Sequence, residues 1–257
     1  MGSQQGAPGA SRDDLVQFRR EGLPSTCLLR VKRDIAELKA DPPPGVFIAP
    51  SEDDFTRIDA IVVGPRDTPY EGGFFRFRIT CPPEYPMKPP DVRFLTTGAG
   101  RVQLHEHLYA DGRVCLSIIG TWTGPQWSPV LTLSSLLVSL QSMLSELEQL
   151  NFGPVTMHRF GSRYRHNTIK IAVCDPVEDC LRDGWIYPPA LRNAVLKTFA
   201  ESCARFEDTL KAGQHLYGSQ YSPPGGCKDC GLLLLRIQGL KLKVKEQIEA
   251  EAANAGH

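Results

Sequence analysis

The sequence has no excess of charge of either sign, because 29 Lys and Arg residues are matched by 29 Asp and Glu residues. A dedicated nucleic-acid-binding protein usually shows a basic excess, so the balance argues against that class. No apolar run approaches the ~18 residues that a membrane span needs. The segment after Met1 lacks an apolar core, so we expect no secretory signal. These absences favour a soluble protein of the cytoplasm and nucleus with neither nucleic acid nor membrane as a partner.

The composition also excludes disordered and collagen-like chains. Hydrophobic residues make up 41% and charged residues 23%, which are ordinary values for a protein that buries a core. The eight cysteines lie in a chain too large to need disulfides, so we expect mostly thiols. Cys227 and Cys230 have metal-like spacing but no second pair, and two incidental thiols are the interpretation that we favour.

The first part of the chain divides into a tail and a helix. Residues 1–23 are rich in Gly, Ser and charge without periodicity, which predicts a mobile tail. An amphipathic helix is predicted after Ser25 and ends at the sequence DPPPG, with apolar positions at Leu28, Val31, Ile35 and Leu38. Its polar face carries Arg30, Lys32 and Arg33. Taken alone, these charges indicate a solvated helix face.

Four segments with the character of strands follow: VFIAP, TRIDAIVVGP, GGFFRFRITCP and DVRFLTT. They are rich in Val, Ile, Phe and Thr and are separated by turn residues, which predicts an antiparallel meander. In the third segment Phe75, Phe77 and Ile79 alternate with Arg76 and Arg78, which predicts one buried face and one solvated face.

A long segment of little regular structure, residues 98–129, separates the strands from the next helix. A loop of this length inside a compact domain is usually functional. A helix follows it, with Thr132 or Ser134 as its cap and leucines along one face. The order of helix, meander, loop and helix predicts an α+β fold.

The long segment contains a cysteine, Cys115, in a stretch that is rich in His, Gly and aromatic residues. A lone cysteine is normally a small buried apolar residue. Composition allows a nucleophile at this position and does not decide between the two roles.

Four sequence blocks carry a resemblance to ubiquitin-conjugating enzymes: PYEGGFF, CPPEYPMKPPDVRF, DGRVCLSI and WSPVLTLSSLL. Each block alone is only suggestive, whereas four in register are highly specific. The resemblance implies a UBC-like fold with an amino-terminal helix, a four-stranded antiparallel meander, a long active-site loop and further helices. We divide the chain into the tail, a UBC core domain (24–180) and a helical carboxy-terminal extension (181–257).

The resemblance also implies the chemistry of a ubiquitin-conjugating acyltransferase. Cys115 would accept the carboxyl terminus of ubiquitin as a thioester and pass it to a lysine or a ligase, without a metal or organic cofactor. A thiol suits this role because it attacks and leaves as a thiolate. The implied partners are ubiquitin, a ubiquitin-activating enzyme including the dedicated second one, and ubiquitin ligases. A ubiquitin-like modifier is an alternative cargo, and we expect a monomer.

One motif departs from the family. In the family a His-Pro-Asn tripeptide supplies an Asn that stabilises the oxyanion. Here His105-Glu106-His107 stands in its place, with His107 eight residues before Cys115. The imidazole of His107 can donate one N–H to the oxyanion, although the proline that fixes the backbone is lost.

Three other interpretations of these residues stay open. His105, His107 and Cys115 could bind zinc, although no fourth ligand is evident. A Cys-His hydrolase would need an orienting group that the sequence does not identify. A catalytically weak or inactive scaffold that binds ubiquitin or ligases would also explain the altered tripeptide.

Partner surfaces follow from the same resemblance. Arg30, Lys32 and Arg33 match the region that meets the activating enzyme. Two apolar loops match those that bind ligases, and they contain Met87 and Pro129-Val130. For Met87 a gap-filling core residue is an equal alternative.

The remaining residues give weaker signals. Glu146 and Glu148 could replace acidic residues that orient the incoming lysine, although solvated helix-end charges are the simpler interpretation. Trp122 and Trp127 are expected to pack around the loop. Two helices are predicted in the extension, at 192–211 and 232–253. No motif in the extension indicates a particular reaction.

Overall fold

The computed structural model describes residues 24–145, 163–182, 187–216 and 230–255. The predictions made for the tail and for Glu146, Glu148 and Cys227 lie outside these residues.

A four-stranded antiparallel sheet follows the amino-terminal helix, with its strands in chain order. The elements are α1 (Ser25–Ala40), β1 (Val46–Pro50), β2 (Arg57–Val63), β3 (Phe74–Thr80), β4 (Asp91–Phe94) and α2 (Leu133–Ser145). The predicted helix and meander are confirmed. Thr132 caps α2, since its hydroxyl oxygen accepts the backbone N–H of Ser135 at 3.2 Å. Residues 98–129 contain only isolated bridges and one 3-10 turn, Ser117–Ile119.

The carboxy-terminal part is helical, and the two predicted helices are present. It consists of a turn of helix at 163–167, a π-helix (Thr168–Cys174), α3 (Asp175–Leu181), α4 (Pro189–Leu216) and α5 (Cys230–Ala255). The sequence pattern predicts no regular element at the position of the π-helix. Its sequence, TIKIAVC, is rich in β-branched residues that do not favour a helix, so packing on both sides must hold it.

The inner face of the sheet packs against α1 and α2. Phe75, Phe77 and Ile79 are buried there together with the leucines of α2, which confirms the predicted buried face. On the helices, the apolar stripes Val31, Ile35 and Leu38 of α1 and Leu136, Leu137 and Leu140 of α2 close this first core. Burial of these apolar side chains is the main stabilising contribution of the core.

The outer face of the sheet is covered as well, by a second core. Ala49, Ile61 and Phe74 of the sheet pack with the π-helix, α3, α4 and α5. The prediction of a solvated outer face is therefore wrong at Arg76, which is buried under this layer. Its guanidinium pairs with Asp59 at 2.8 Å and lies 4.5 Å from the ring centroid of Tyr187. These contacts compensate the burial of a charge.

The described cysteines are mostly thiols, as expected. The free cysteines in this part of the chain are Cys27, Cys81, Cys115, Cys174, Cys180 and Cys203. Cys230 is disulfide-bonded, so the expectation of a thiol is wrong at that position. Of the described helices, none is both long and apolar enough to cross a membrane.

The buried carboxylate of Asp34 joins three parts of the core domain. Its Oδ1 accepts Arg30 Nε at 2.8 Å on the same helix. Its Oδ2 accepts the hydroxyl of Tyr85 and, at 3.3 Å, the backbone N–H of Leu133 at the start of α2. A single side chain thus fixes α1, the loop after β3 and the beginning of α2 relative to one another.

Arg30 extends this cluster to the segment before α2. Its two terminal nitrogens donate to the carbonyl oxygens of Pro129 at 2.8 Å and Leu131 at 2.7 Å. Arg30 is therefore bound within this corner and is not a solvated charge, whereas Arg33 is exposed and pairs with Glu37.

We predict that Asp34→Asn destabilises the protein. The change removes the charge that pairs with Arg30 and leaves a buried donor next to Tyr85, and we expect the free energy of unfolding to fall by about 3 kcal/mol. Urea denaturation measures it. Glu37→Gln, which breaks an exposed pair on the same helix, is the control and should cost less than about 0.5 kcal/mol. Equal effects of the two changes would contradict the role of Asp34.

Candidate active site

The segment that precedes Cys115 is a tight backbone hairpin. Leu108 forms bridges with both His105 and Val114. The backbone N–H of Cys115 donates to the carbonyl oxygen of His107 at 2.9 Å. The hairpin therefore brings the altered tripeptide directly beside the cysteine, as the sequence register predicted.

The hairpin is anchored on the edge of the sheet at its turn. The backbone N–H of Phe94, in β4, donates to the carbonyl oxygen of Gly112 at 2.8 Å. Gly112 has φ +90°, and a Cβ there would lie 2.9 Å from the carbonyl oxygen of Phe94. Both the left-handed backbone and the close approach require glycine. The Asp-Gly-Arg turn before the cysteine is thus fixed by the sheet.

The hydroxyl of Thr121 fixes the backbone on both sides of Cys115. Its oxygen accepts the N–H of Leu116 at 2.9 Å, and its proton is donated to the carbonyl oxygen of Val114 at 2.7 Å. No signal in the single sequence pointed to Thr121, because the pairing depends on how the loop folds back. The peptide groups flanking the thiol are held in place from both directions.

Cys115 and the other free cysteines of the described part of the chain are all buried, to different extents. At 8% exposure Cys115 is the most exposed of them. Burial raises the pKa of Cys174 and of Cys180 to about 12, and it also raises the pKa of Cys81. Those thiols stay protonated at neutral pH and are poor nucleophiles.

His105 is a neutral structural residue. Its ring is buried, and its Nδ1 accepts the backbone N–H of His107 at 3.0 Å. Burial, with a smaller contribution from the nearby His107, lowers the pKa of His105 from 6.5 to about 4, against the opposing effect of a backbone hydrogen bond with Met143. The ring of Tyr70 covers it at a centroid distance of 5.3 Å. His105 therefore braces the hairpin and is not free for chemistry.

His107 is placed differently. Its ring lies edge-on to the half-exposed indole of Trp122, with 4.9 Å between the centroids. Its Nε2 is 3.7 Å from a carboxylate oxygen of Glu106, which is too long for a hydrogen bond. Within the described residues the imidazole of His107 makes no hydrogen bond, so its N–H can serve a substrate.

The geometry does not support the zinc site or the Cys-His hydrolase that the sequence left open. In the described ranges, no group of three or more His, Cys, Asp and Glu side chains is arranged to hold a metal ion. The Nδ1 of His105 is already engaged by a backbone N–H. Among the described residues, no orienting group for a Cys-His hydrolase is evident either, since Glu106 does not hydrogen-bond the imidazole of His107.

The residues matched to ligase loops form an exposed apolar pair. Met87 is 72% exposed and Val130 is 84% exposed, so the alternative of a gap-filling core residue is wrong for Met87. The indole Nε1 of Trp127 donates to the carbonyl oxygen of Pro86 at 2.7 Å, which ties the two loops together. Pro129 is exposed, and its carbonyl is bound by Arg30. Arg30, which was expected to meet a partner, is mainly occupied within the protein.

We predict that protonation of His105 destabilises the fold at acidic pH. Its folded pKa lies below the unfolded value of 6.5, so the stability that depends on the neutral ring is complete above pH 6.5 and is lost as the pH falls towards 4. The expected loss is about 3 kcal/mol, at about 1.4 kcal/mol per pKa unit. Urea denaturation at several pH values measures it.

The matched variants are His105→Asn and His107→Asn. The first removes the titrating group and should flatten the profile between pH 6.5 and 4. The second leaves His105 buried and should keep most of the slope. Parallel profiles for the unaltered protein and His105→Asn would contradict the assignment.

Comparison with known proteins places this geometry in a family. The family model described as "Ubiquitin-conjugating enzyme" matches residues 30–168. The chain is 40% identical over 258 residues to ubiquitin-conjugating enzyme E2 Z of Xenopus tropicalis, covering 96% of this chain and 80% of that protein. It is 42% identical over 241 residues to ubiquitin-conjugating enzyme E2 Z of Homo sapiens, covering 88% of this chain and 66% of that protein.

A solved structure of human ubiquitin-conjugating enzyme E2 G1 aligns with a TM-score of 0.42 at 32% identity, covering 48% of this chain and 98% of that chain. The predicted UBC-like fold is confirmed by the family match and by the elements described above. The segments CLLRVKRDI, DPPPGVF, CLSIIGTWTGPQWSP and NTIKIAVCD resemble the E2 Z members of this family in particular. Identities near 40% over most of the chain confirm that resemblance. The chain belongs to the ubiquitin-conjugating enzyme family.

Proposed function

We propose that Cys115 accepts the carboxyl terminus of ubiquitin as a thioester from an activating enzyme and transfers it to a lysine or to a ligase cysteine. The observation that carries this proposal is the fixed backbone at Cys115. The carbonyl of His107 accepts the N–H of Cys115, and the hydroxyl of Thr121 is hydrogen-bonded to Val114 and Leu116 on either side. A fixed nucleophile of this kind favours attack on a positioned carbonyl.

The proposed chemistry consists of two acyl transfers. In the first, the thiolate of Cys115 attacks the thioester carbonyl of the loaded activating enzyme, and a new C–S bond forms as that enzyme's thiolate leaves. In the second, a lysine amine attacks the same carbonyl, loses a proton and forms an amide as the thiolate of Cys115 leaves. Both steps start from an activated thioester, so the proposal requires no metal or organic cofactor.

The proposal assigns stabilisation of the oxyanion to His107. Its ring is not hydrogen-bonded within the described residues, its orientation is set by Trp122, and its backbone is paired with that of Cys115. An imidazole N–H can donate to the negative charge that develops on the carbonyl oxygen in both steps. His105 cannot share this role because its Nδ1 is an acceptor within the hairpin.

The proposed surface for the activating enzyme lies on α1. Arg33 is exposed there, and Lys32 lies with its Nζ 5.6 Å from the ring centroid of Phe55. Arg30 contributes indirectly, because it holds the neighbouring loop. The proposal includes the dedicated second activating enzyme as loader, a ubiquitin-like modifier as an alternative cargo, and a monomer of the cytoplasm and nucleus.

The extension, residues 181–257, has a proposed structural role. Helices α4 and α5 supply most of the second core and cover Ala49, Ile61 and Phe74 on the outer face of the sheet. In this proposal the extension packs on the core domain (24–180) and shapes the surface that the activating enzyme recognises.

A scaffold without efficient transfer is the second candidate. The observation that favours it is Glu106, whose carboxylate lies 3.7 Å from the imidazole of His107 and brings negative charge close to the site. Such a charge opposes the formation of an oxyanion. A scaffold would bind ubiquitin or ligases with weak transfer or none.

A charging assay distinguishes these candidates. The full chain is incubated with ATP, ubiquitin and each ubiquitin-activating enzyme, and adducts are read on a non-reducing gel. We expect a thiol-sensitive adduct with the unaltered protein and none with Cys115→Ala. Cys115→Ser should give an oxyester that resists thiols, because the hydroxyl forms an ester instead of a thioester. Cys203→Ala, which alters a cysteine on α4, is the matched control and should charge normally.

The second transfer is tested in the same assay with His107→Asn and His107→Ala. Discharge to free lysine should be slowed by roughly a hundredfold in His107→Ala, the order of magnitude for loss of one oxyanion donor, and retained or increased in His107→Asn. Failure of the folded protein to form any adduct with either activating enzyme would overturn the transferase and leave the scaffold.

We predict that Met87→Ala separates charging from ligase-stimulated discharge. Met87 is exposed, so its loss should change the free energy of unfolding by less than about 0.5 kcal/mol. Charging should be unchanged, while discharge stimulated by a ligase domain that is active with the unaltered protein should fall by roughly tenfold. Leu29→Ala, an exposed apolar residue on α1, is the matched control. Normal stimulation of Met87→Ala would rule out this surface.

A further inference from the structure

A cavity of about 440 Å³ lies between the core domain and the extension. Its walls are the loop between β2 and β3, the middle of α2, the π-helix with the turn before it, and one face of α4. The candidate active site does not include any of its lining residues. A cavity of this size is in the range that holds a small molecule.

Both long walls of the cavity are rigid. The loop between β2 and β3 is closed by hydrogen bonds of 2.9 Å from Gly64 N to Gly73 O and from Gly72 N to Gly64 O. Gly72 has φ +70°, and a Cβ there would lie 2.6 Å from the ring of Phe206 on α4. Helix α4 therefore packs directly on the loop backbone. The cavity is formed before any ligand arrives, which lowers the entropic cost of binding.

Positive charge lines the cavity in excess. It is supplied by the guanidinium groups of Arg66, Arg165 and Arg205, against the carboxylates of Glu71 and Glu201. Arg205 lies 3.6 Å from Glu71, so these two charges offset each other. Within the described chain, Arg66 makes no ion pair or hydrogen bond, and Arg165 makes only a hydrogen bond of 3.4 Å to the carbonyl oxygen of Thr68. Among the described residues, these two exposed cations of the cavity therefore have no carboxylate partner.

Neutral donors complete the lining. Hydroxyl groups are contributed by Thr198, Ser202 and Thr209, which lie on one face of α4. Hydroxyl donors and guanidinium forks are the groups that proteins use to bind phosphate oxygens, since a guanidinium can donate two parallel hydrogen bonds to them. The carboxylate of Glu201 opposes anion binding, because no cation among the described residues pairs with it, whereas Glu71 is paired with Arg205.

We propose that this cavity binds the phosphate group of a small molecule, held by Arg66 and Arg165 with assistance from the hydroxyls of α4. The site bridges the loop of the core domain and α4 of the extension. A bound ligand therefore stabilises the folded protein by mass action and raises its melting temperature. The proposal does not depend on ubiquitin transfer.

Isothermal titration calorimetry of the full chain with inorganic pyrophosphate, in a phosphate-free buffer, tests the proposal. We expect a dissociation constant below about 1 mM, and a loss of affinity of roughly tenfold or more in the double variant Arg66→Gln/Arg165→Gln. Glu201→Gln should tighten binding, because it removes a repulsive charge that has no partner among the described residues. A change in folding is expected to weaken pyrophosphate binding in both variants. Only direct electrostatic interaction with the ligand weakens binding in one variant and strengthens it in the other.

The control variant is Arg101→Gln/Lys197→Gln, which removes the same charge from positions outside the cavity. It should bind pyrophosphate within about twofold of the unaltered protein. Thermal melts of all variants confirm that they are folded. The proposal is overturned by an absence of binding at 10 mM pyrophosphate, by an equal loss in the control, or by tighter binding of a phosphoserine octapeptide, which would identify a protein ligand.

Discussion

The carboxylate of Asp34 is the contact on which the arrangement of the core domain depends. It is buried, and it receives donors from α1, from Tyr85 in the loop after β3 and from the first residue of α2. A buried charge is costly unless it is paired and hydrogen-bonded, and here three separate segments supply the compensation. Because each segment alone would leave the charge unsatisfied, they are held together.

The same cluster shapes the exposed surface next to it. Arg30 binds Asp34 on one side and the carbonyls of Pro129 and Leu131 on the other. The exposed apolar side chains of Met87 and Val130 stand on loops that this corner and Trp127 hold in place. A preformed apolar surface loses little conformational entropy when a partner binds.

Both faces of the sheet are covered, so the extension is part of the fold. The π-helix shows how the two cores are joined, since Ile171 and Ala172 belong to the first core and Ile169 and Val173 to the second. The wider turn of a π-helix allows neighbouring residues to face both sides. Removing α4 and α5 would uncover Phe74, and removing Tyr187, which directly precedes α4, would uncover the guanidinium of Arg76. The extension therefore cannot be treated as an independent appendage.

The sequence by itself determined the meander, the helices with clear periodicity, the long active-site segment and the position of Cys115 in it. These follow from local patterns: alternation in strands, helical spacing of apolar residues, and Gly and Pro at the ends. The register of the tripeptide also placed His105 and His107 beside the cysteine, and the hairpin agrees.

The tertiary structure alone decided which of those residues are available for chemistry. His105 and His107 have the same side chain two positions apart, yet His105 is buried as an acceptor, whereas His107 lies against Trp122 and makes no hydrogen bond to any described residue. Likewise Arg76 occupies a position of β3 that the alternating pattern assigns to the solvent, but the extension covers it. Periodicity reports which face a residue occupies, and only the packing of distant segments determines whether that face meets water or protein.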